Sequence, residues 1–327
     1  MNTDGKKNIV TIGGGTGTFV VLSGLKHFSD VTLSAIVSVA DDGGSTGRLR
    51  DAYGLLPMGD ARRALVALSN GDEPLLMRSL FEYRFAKGDI AGHSFGNLLL
   101  TALADILGSG GKGIEAASRL LRVKGYVVPA SEKQATLVAT LENGDTVIGE
   151  NRIDEHARGR SPIADLKTTE HVPINPAASS AIRDADIIVI GPGDIYTSTL
   201  ANFAIDGMKK AVQESKAKLV YIVNLFTKTG QTEECGASEH VERISRYIGR
   251  KPDAIIMNES HFPEKVLTRY REAGEHPVVD DLPHDASVIR GAFADAVEIE
   301  TAAHDAVPRS LIRHDSEKIA EVIKSLV

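Results

Sequence analysis

The chain contains one cysteine, no apolar run near the length of a membrane span and no excess of positive charge. The single cysteine, Cys235, excludes an internal disulfide and agrees with a reducing compartment. Every apolar run is far shorter than the ~20 residues that cross a bilayer. Residues 1–7 are polar and lack the apolar core of a signal peptide. We therefore expect a cytoplasmic protein without a membrane span.

The charge balance is acidic, with a net charge of −7. A nucleic-acid-binding surface needs a basic face, so we expect no nucleic acid partner. No spacing of cysteine and histidine suggests zinc. With 327 residues, 42% of them hydrophobic and 25% charged, the composition is that of an ordinary globular protein.

Short apolar runs rich in β-branched residues alternate with segments of helical periodicity. The predicted strands are 9–12, 33–39, 186–190, 219–223 and 254–257, and the clearest predicted helices are 19–27, 61–69, 98–107, 114–121, 198–215 and 238–248. Near-continuous apolar strands separated by helices indicate a parallel sheet covered on both faces. We predict one three-layer, Rossmann-like α/β domain over residues 1–327, with ligands beyond the carboxyl ends of the strands.

Residues 126–176 break this alternation. The runs 137–141 and 146–148 flank Asn143-Gly144, a dipeptide typical of tight hairpin turns. We predict a small antiparallel β-hairpin insertion within the single domain.

Glycine-rich polar segments follow several predicted strands. Glycine lets the backbone turn sharply and approach a ligand, and the start of a helix favours an anion, so phosphate is the expected ligand. The predicted binding residues are Gly14, Gly15, Thr16 and Gly17 after the first strand, Asp41, Asp42, Gly43, Gly44, Ser45, Thr46 and Arg48 after the second, Asp60 and Asn97 near later helix starts, and Gly193, Tyr196 and Asn224 after later strands.

These loops also have simpler interpretations. Glycine turns are common without a ligand, Asp60 suits a plain helix N-cap, and Tyr196 could stack on a ligand or pack in the core. Asp41 or Asp42 could accept from ribose hydroxyls or hold a metal with the phosphates. Asp194 is discordant, because a carboxylate repels phosphate unless it binds a hydroxyl or a metal.

The catalytic signals are weaker than the binding signals. No Gly-x-Ser-x-Gly turn follows a predicted strand, and the carboxylates are too many to select a catalytic pair. Thr18 stands where a dinucleotide-binding fingerprint has its third glycine, which disfavours a nicotinamide dehydrogenase. The sequence therefore indicates binding more clearly than bond-breaking, and no residue is assigned a catalytic role.

Together these segments resemble the CofD/YvcK-like family. The matching segments are 13–17, 41–50, 59–60, 93–98, 191–193, 196–198 and 313–315. The resemblance implies a Rossmann-like core and one of two roles. One branch consists of 2-phospho-lactate transferases, which use magnesium and a nucleotide-activated donor. The other, the gluconeogenesis-factor or YvcK type, binds nucleotide sugars such as UDP-N-acetylglucosamine and influences cell shape and envelope synthesis on gluconeogenic carbon sources.

The chain looks more like the second branch. Ser-Thr-Gly-Arg-Leu-Arg follows the paired aspartates, and residues 57–62 replace the aspartate-rich stretch of the transferases. The chain departs from the branch's usual pattern at Ala61 and Asp194, where a larger aliphatic residue and a serine are common. The resemblance also implies contacts from Tyr270, whose ring can stack on uracil, and from Arg313, whose guanidinium suits a diphosphate.

We therefore expect a regulatory protein that binds a nucleotide sugar and acts through an unknown regulatory protein partner. The alternative is a transferase of the 2-phospho-lactate type, in which Mg²⁺ would be the cofactor and Asp42 the candidate metal ligand. A homodimer is expected on general grounds.

Overall fold

The computed structural model describes residues 5–70, 74–155, 161–295 and 312–327. The strands are β1 (Lys7–Gly13), β2 (Val31–Val37), β3 (Tyr126–Pro129), β4 (Leu137–Leu141), β5 (Thr146–Ile148), β6 (Ile163–Thr168), β7 (Ile187–Ile190), β8 (Lys218–Ile222), β9 (Ala254–Asn258), β10 (Val288–Gly291), β11 (Ala294–Asp295) and β12 (Arg313–His314). The helices are α1 (Gly15–Leu25), α2 (Gly44–Tyr53), α3 (Gly59–Leu68), α4 (Pro74–Glu82), α5 (Phe95–Leu107), α6 (Gly110–Leu120), α7 (Glu150–Asp154), α8 (Pro176–Arg183), a π-helix (Ile195–Leu200), α9 (Ala201–Phe203), α10 (Met208–Glu214), α11 (Ala237–Ile248), α12 (Glu264–Ala273) and α13 (Ser316–Ser325).

A seven-stranded sheet in the order β10-β9-β8-β7-β1-β2-β3 forms the centre of the molecule, and each neighbouring pair is parallel. Its middle strand β7 is Ile-Ile-Val-Ile, and every side chain in it is buried, as a sheet covered on both faces requires. From β1 the chain winds toward β2, but from β7 it winds toward β8. The winding direction therefore switches between β1 and β7, where ligands of such folds bind.

Two sets of helices cover this sheet. In the first set α1 packs with α3 and α13, and in the second set α10 packs with α8 and α11. The predicted parallel α/β architecture with two helical layers is confirmed. Among the described residues, no helix combines the length and the apolar character needed to cross a membrane.

Some predicted elements differ from the observed ones. The segment predicted as one helix over 198–215 is divided into the π-helix, α9 and α10, and Gly207 with φ +93° directly precedes the last of these. The loop predicted after the second strand becomes helical at Gly44, because buried Leu49 and the left-handed Gly54 cap support α2 although its first residues are poor helix formers.

A second, three-stranded antiparallel sheet has the order β5-β4-β6. The predicted hairpin is confirmed, with Val138 opposite Ile148 and the turn at Asn143-Gly144. The sequence pattern does not predict the third strand, β6. The segment 126–176 also contains β3, which belongs to the parallel sheet. Buried side chains of β4 and β6 join the same hydrophobic cluster as the parallel strands. We call β4, β5, β6 and α7 the antiparallel lobe.

Candidate functional site

The loops after β1 and β7 touch each other at the switch point. A Cβ built on Gly17 would overlap the carbonyl oxygen of Pro192, so any larger residue would push the two loops apart. A Cβ built on Gly193 would lie 3.7 Å from the carbonyl oxygen of Gly14. These two glycine-rich loops therefore meet, as their positions in the sequence predict, at the switch point where folds of this kind have their ligand crevice.

The start of α1 is closed by a carboxylate of the protein itself. The N–H of Gly15 donates to Oδ1 of Asp60 at 2.8 Å, and Nη1 of Arg63 lies 3.2 Å from the same oxygen. Asp60 is the second residue of α3, so it bridges two helix starts rather than capping its own helix. The backbone donor that the sequence suggests for phosphate is thus already occupied by Asp60, while Thr16 and Gly17 follow it half-buried.

The start of α2 is open by comparison. The N–H of Gly43 donates to Oδ1 of Asp41 at 2.9 Å, and no described side chain caps the helix. Apart from its chain neighbours and the backbone of α2 itself, no described atom lies within 4 Å of a Cβ built on Gly44. Arg48 is exposed on the same helix, and its Nη2 donates to the carbonyl of Ala91 at 3.1 Å.

A polar network supports the first turn of α2. The amide nitrogen of Asn97 lies 3.4 Å from the Ser45 hydroxyl and 3.3 Å from the Thr46 hydroxyl. The Ser45 hydroxyl lies 3.0 Å from Nδ1 of His93. Burial and the nearby charge of Arg48 lower the pKa of His93, so its ring is neutral near pH 7 and its Nδ1 can accept a hydrogen bond from the Ser45 hydroxyl. The structure thus brings together three predicted residues, Ser45, Thr46 and Asn97, and adds His93.

Several carboxyl groups crowd the side of the crevice next to α2. Burial and the charge of Asp60 raise the pKa of Asp41 to about 6. Burial and the charges of Asp41 and Asp154 raise the pKa of Glu150 to about 9, so Glu150 stays protonated at neutral pH. Sequence reasoning missed Glu150, because it belongs to the antiparallel lobe and nothing local indicates that α7 lies over the crevice.

Asp42 attaches this lobe to the crevice. Its Oδ1 accepts from the N–H of Asn151 at 2.8 Å, and its Oδ2 accepts from the N–H of Glu150 at 3.1 Å. Both oxygens therefore hold the first residues of α7. In the described part of the chain, no three Asp, Glu, His or Cys side chains are grouped as a metal site. Each oxygen of Asp42, the candidate metal ligand, already accepts a backbone N–H.

Asn224 and Tyr196 make hydrogen bonds to other residues of the protein. Asn224 accepts from the N–H of Gly193 at 3.0 Å and donates to its carbonyl at 2.8 Å, which fixes the loop after β7. Tyr196 is only 1% exposed, and its hydroxyl lies 3.3 Å from the carbonyl of Ile163 and receives a hydrogen bond from Arg243 at 3.0 Å. Of the two interpretations of Tyr196, packing is the one observed.

The discordant carboxylate of Asp194 has a basic partner. The Nζ of Lys228 lies 3.7 Å from Asp194 and 3.7 Å from Asp154 of α7. Neither Lys228 nor Asp154 stands out in the sequence. Lys228 lies in the polar segment after β8, which the fold assigns to the binding edge.

Tyr270 and Arg313 lie near each other although they are far apart in the sequence. The Tyr270 ring stacks on Phe226 with centroids 3.7 Å apart, and its hydroxyl accepts from the N–H of Ile312 at 3.5 Å. Ile312 directly precedes Arg313 in β12, which pairs with β11. Because Phe226 follows β8, this group lies beyond the carboxyl end of the sheet.

These features define a class, a parallel α/β protein with glycine-rich loops around a crevice at the switch point. The comparisons with known proteins narrow the class. Residues 9–296 match the family model described as 2-phospho-L-lactate transferase CofD. The chain is 37% identical to the gluconeogenesis factor of Bacillus subtilis over 324 residues, 98% of each chain. It is 39% identical to the gluconeogenesis factor of Halalkalibacterium halodurans over 320 residues, 97% of this chain and 96% of that one.

A solved structure agrees with these matches. The crystal structure of protein BH3568 from Bacillus halodurans superposes with a TM-score of 0.88 at 37% identity and covers 98% of this chain and 99% of that chain. The chain belongs to the CofD/YvcK-like family, on its gluconeogenesis-factor branch.

Proposed function

We propose that this protein is a regulatory protein that binds a nucleotide sugar such as UDP-N-acetylglucosamine in the crevice and acts on cell shape and envelope synthesis during gluconeogenic growth. The observation that carries the proposal is the meeting of the loops after β1 and β7, with Asp60 bound to the first of them and Gly59 packed against Asp41 and Thr46 after β2. Relatives named gluconeogenesis factor support the assignment of the branch.

The proposed contacts for the diphosphate are the start of α2 and Arg313. Helix starts present N–H groups that favour an anion, and at Gly44 this end has room for one. Arg48 adds a positive charge nearby. At the start of α1 the Asp60 carboxylate occupies the N–H of Gly15, the first residue of the helix, whereas at α2 the Asp41 carboxylate occupies the N–H of Gly43, which precedes the helix. Tyr270 is proposed to contact the base.

Isothermal titration calorimetry with UDP-N-acetylglucosamine tests the proposal. We expect binding that weakens on Arg313→Ala and on Thr46→Val, since the first removes a guanidinium and the second a hydroxyl donor. Arg119→Ala, an exposed arginine paired with Glu115 on α6, is the matched control and should leave affinity unchanged. If the unaltered protein binds no uridine diphosphate sugar, the proposal is wrong.

The second candidate is a transferase of the 2-phospho-lactate type. It is supported by the description of the matching family model and by Asp41 and Asp60 beside the loops. Product formation from a nucleotide diphospho-lactate donor, lost on Asp42→Asn, would favour it. Thermal unfolding of that variant is the necessary control, because Asp42 also holds α7.

A further inference from the structure

A charged cluster lies beside the loop after β7. It consists of Asp154 at the end of α7, Asp194 after β7 and Lys228 after β8, so three separate elements supply it. About a third of each of these side chains is exposed: 34% for Asp154, 36% for Asp194 and 31% for Lys228. The cluster is therefore neither sealed in the core nor spread over the outer surface.

The position of the cluster ties it to the crevice. Asp194 directly follows Gly193, which lies against Gly14 of the first loop. Asp154 ends the five-residue helix α7, whose first residues are held by Asp42 of the second loop. A ligand that lies along the glycine-rich loops would reach these two carboxylates at one end.

Three hydrogen-bond donors in and around the cluster lie close to Asp154. Thr197 donates to Oδ1 of Asp154 at 3.3 Å, Gln231 donates to it at 3.2 Å, and Lys228 lies 3.7 Å from it. All three donors lie at the same oxygen of Asp154. Burial and the charge of Asp154 raise the pKa of Asp194, and a side-chain hydrogen bond joins the two carboxyl groups. Burial opposes the charge of Lys228, but Asp194 and Asp154 outweigh it and raise the pKa of Lys228.

A second observation points to a missing donor. Gln231 is 6% exposed, and its backbone carbonyl is held by Arg243 at 2.8 Å. While the Gln231 amide nitrogen binds Asp154, its Oε1 has no hydrogen-bond partner among the described residues. A buried acceptor without a donor costs free energy, and here it belongs to the amide that contacts the cluster.

Resting on the proposed function, we infer that Asp154, Asp194 and Lys228 form a subsite that binds neighbouring hydroxyl groups of the ligand's sugar. Carboxylate oxygens accept from hydroxyls and the lysine ammonium donates to a hydroxyl oxygen, so the set offers both hydrogen-bonding roles that a diol needs. The carboxylates outnumber the lysine, which disfavours phosphate here. A hydroxyl-binding subsite explains why an aspartate, Asp194, stands in a loop where a carboxylate would repel phosphate.

The test compares ligands with and without each set of hydroxyls. Calorimetry on the unaltered chain and on Asp194→Asn, Lys228→Met and the double variant would use UDP-N-acetylglucosamine, UDP and 2′-deoxy-UDP. The double variant removes one charge of each sign, so the net charge of the cluster is unchanged. Asp184→Asn and Lys210→Met, on exposed residues paired with Arg183 and Glu214, are the matched controls.

We expect the cluster variants to lower affinity for UDP-N-acetylglucosamine by about tenfold, the usual effect of losing a hydrogen bond to a charged group. If affinity for UDP stays unchanged, the hydroxyls belong to the hexose. The hydroxyls belong to the ribose if two results are found together. The variants lower affinity for UDP by the same factor as for UDP-N-acetylglucosamine, and 2′-deoxy-UDP binds the variants as tightly as it binds the unaltered chain.

Two results would overturn the inference in different ways. Equal binding of every ligand by the variants and the unaltered chain removes the subsite and leaves the proposed function standing. Absence of binding by the unaltered chain removes the proposed function and the subsite with it. Thermal unfolding of each variant separates lost recognition from lost folding, since a purely structural cluster would change stability without changing the ratio of affinities between ligands.

Discussion

The starts of α1 and α2 look alike in the sequence but differ in the folded chain. Each helix begins at a glycine after a parallel strand and a glycine-rich turn. At α1 the neighbours are protein atoms, because Asp60 accepts from Gly15 and Pro192 lies against Gly17. At α2 the space around Gly44 is open. A glycine-rich turn after a strand therefore indicates that another group lies close to the backbone. That group can be a residue of the same chain instead of a ligand.

The largest expected difference concerns Gly17 and Gly44. In Gly17→Ala the new methyl group would overlap the Pro192 carbonyl, and we expect a loss of about 3 kcal/mol in the free energy of unfolding, the upper end for overpacked sites, because the overlap is with backbone. Gly44→Ala has room and pays only for its positive φ of +45°, about 1 kcal/mol. Urea unfolding of both variants measures this. Equal losses would contradict the comparison.

The next prediction concerns the charge of Asp41 beside α2. Its folded pKa, about 6, lies above its ordinary value of 3.8, so its contribution to stability is complete below pH 4 and is lost as the pH rises through 6. Asp41→Asn should therefore raise the free energy of unfolding at pH 8 by about 2–3 kcal/mol relative to the unaltered chain, and the gain should vanish near pH 4.

Unfolding curves at several pH values measure this effect. Asp105→Asn, which changes an exposed aspartate on α5, is the control and should show no such trend. If the gain in the free energy of unfolding does not depend on pH, the protonation state of Asp41 does not change through this range.

A smaller effect distinguishes the two arginines near these helix starts. If phosphate binds at α2, Arg48→Ala should weaken binding of UDP-N-acetylglucosamine about five- to tenfold at low salt, because an exposed charge contributes modestly and is screened. Arg63→Ala should have little effect, since Arg63 lies beside Asp60 at the closed start of α1. The reverse order of affinities would place the phosphate at α1.

The smallest expected change follows Asp60→Asn. The amide oxygen can still accept from Gly15, so the fold should be retained. Because the Asp60 charge is the second largest cause of the raised pKa of Asp41, that pKa should fall below about 6. Carboxyl NMR titration of Asp41 reports the shift. An unchanged pKa would mean that burial alone sets it.

The sequence predicts five of the seven parallel strands, because β1, β2, β7, β8 and β9 are continuous runs of β-branched and aliphatic residues. It does not predict β3 or β10, because they contain Pro129 and Gly291, residues that weaken a strand pattern. It also predicts the hairpin turn at Asn143-Gly144, since that turn depends on the local backbone alone.

The site could be predicted only in part, for a physical reason. Loops after adjacent parallel strands must lie at one edge of the sheet, so the meeting of the β1 and β7 loops follows from the order of the elements. The partner of Asp42 lies 108 residues away in a lobe whose placement no local pattern encodes. Tyr196 likewise follows a glycine-rich loop, yet it points into the core.

The sequence by itself determined the parallel α/β fold, the family and the loops that form the crevice, because strand and helix periodicity and glycine spacing are local properties of the chain. Only the tertiary structure decided which of those loops is open. Asp60 closes the start of α1, Asp42 holds the lobe, and Lys228 compensates Asp194. These are pairings between distant residues, whose energies depend on burial and distance and therefore exist only once the chain has folded.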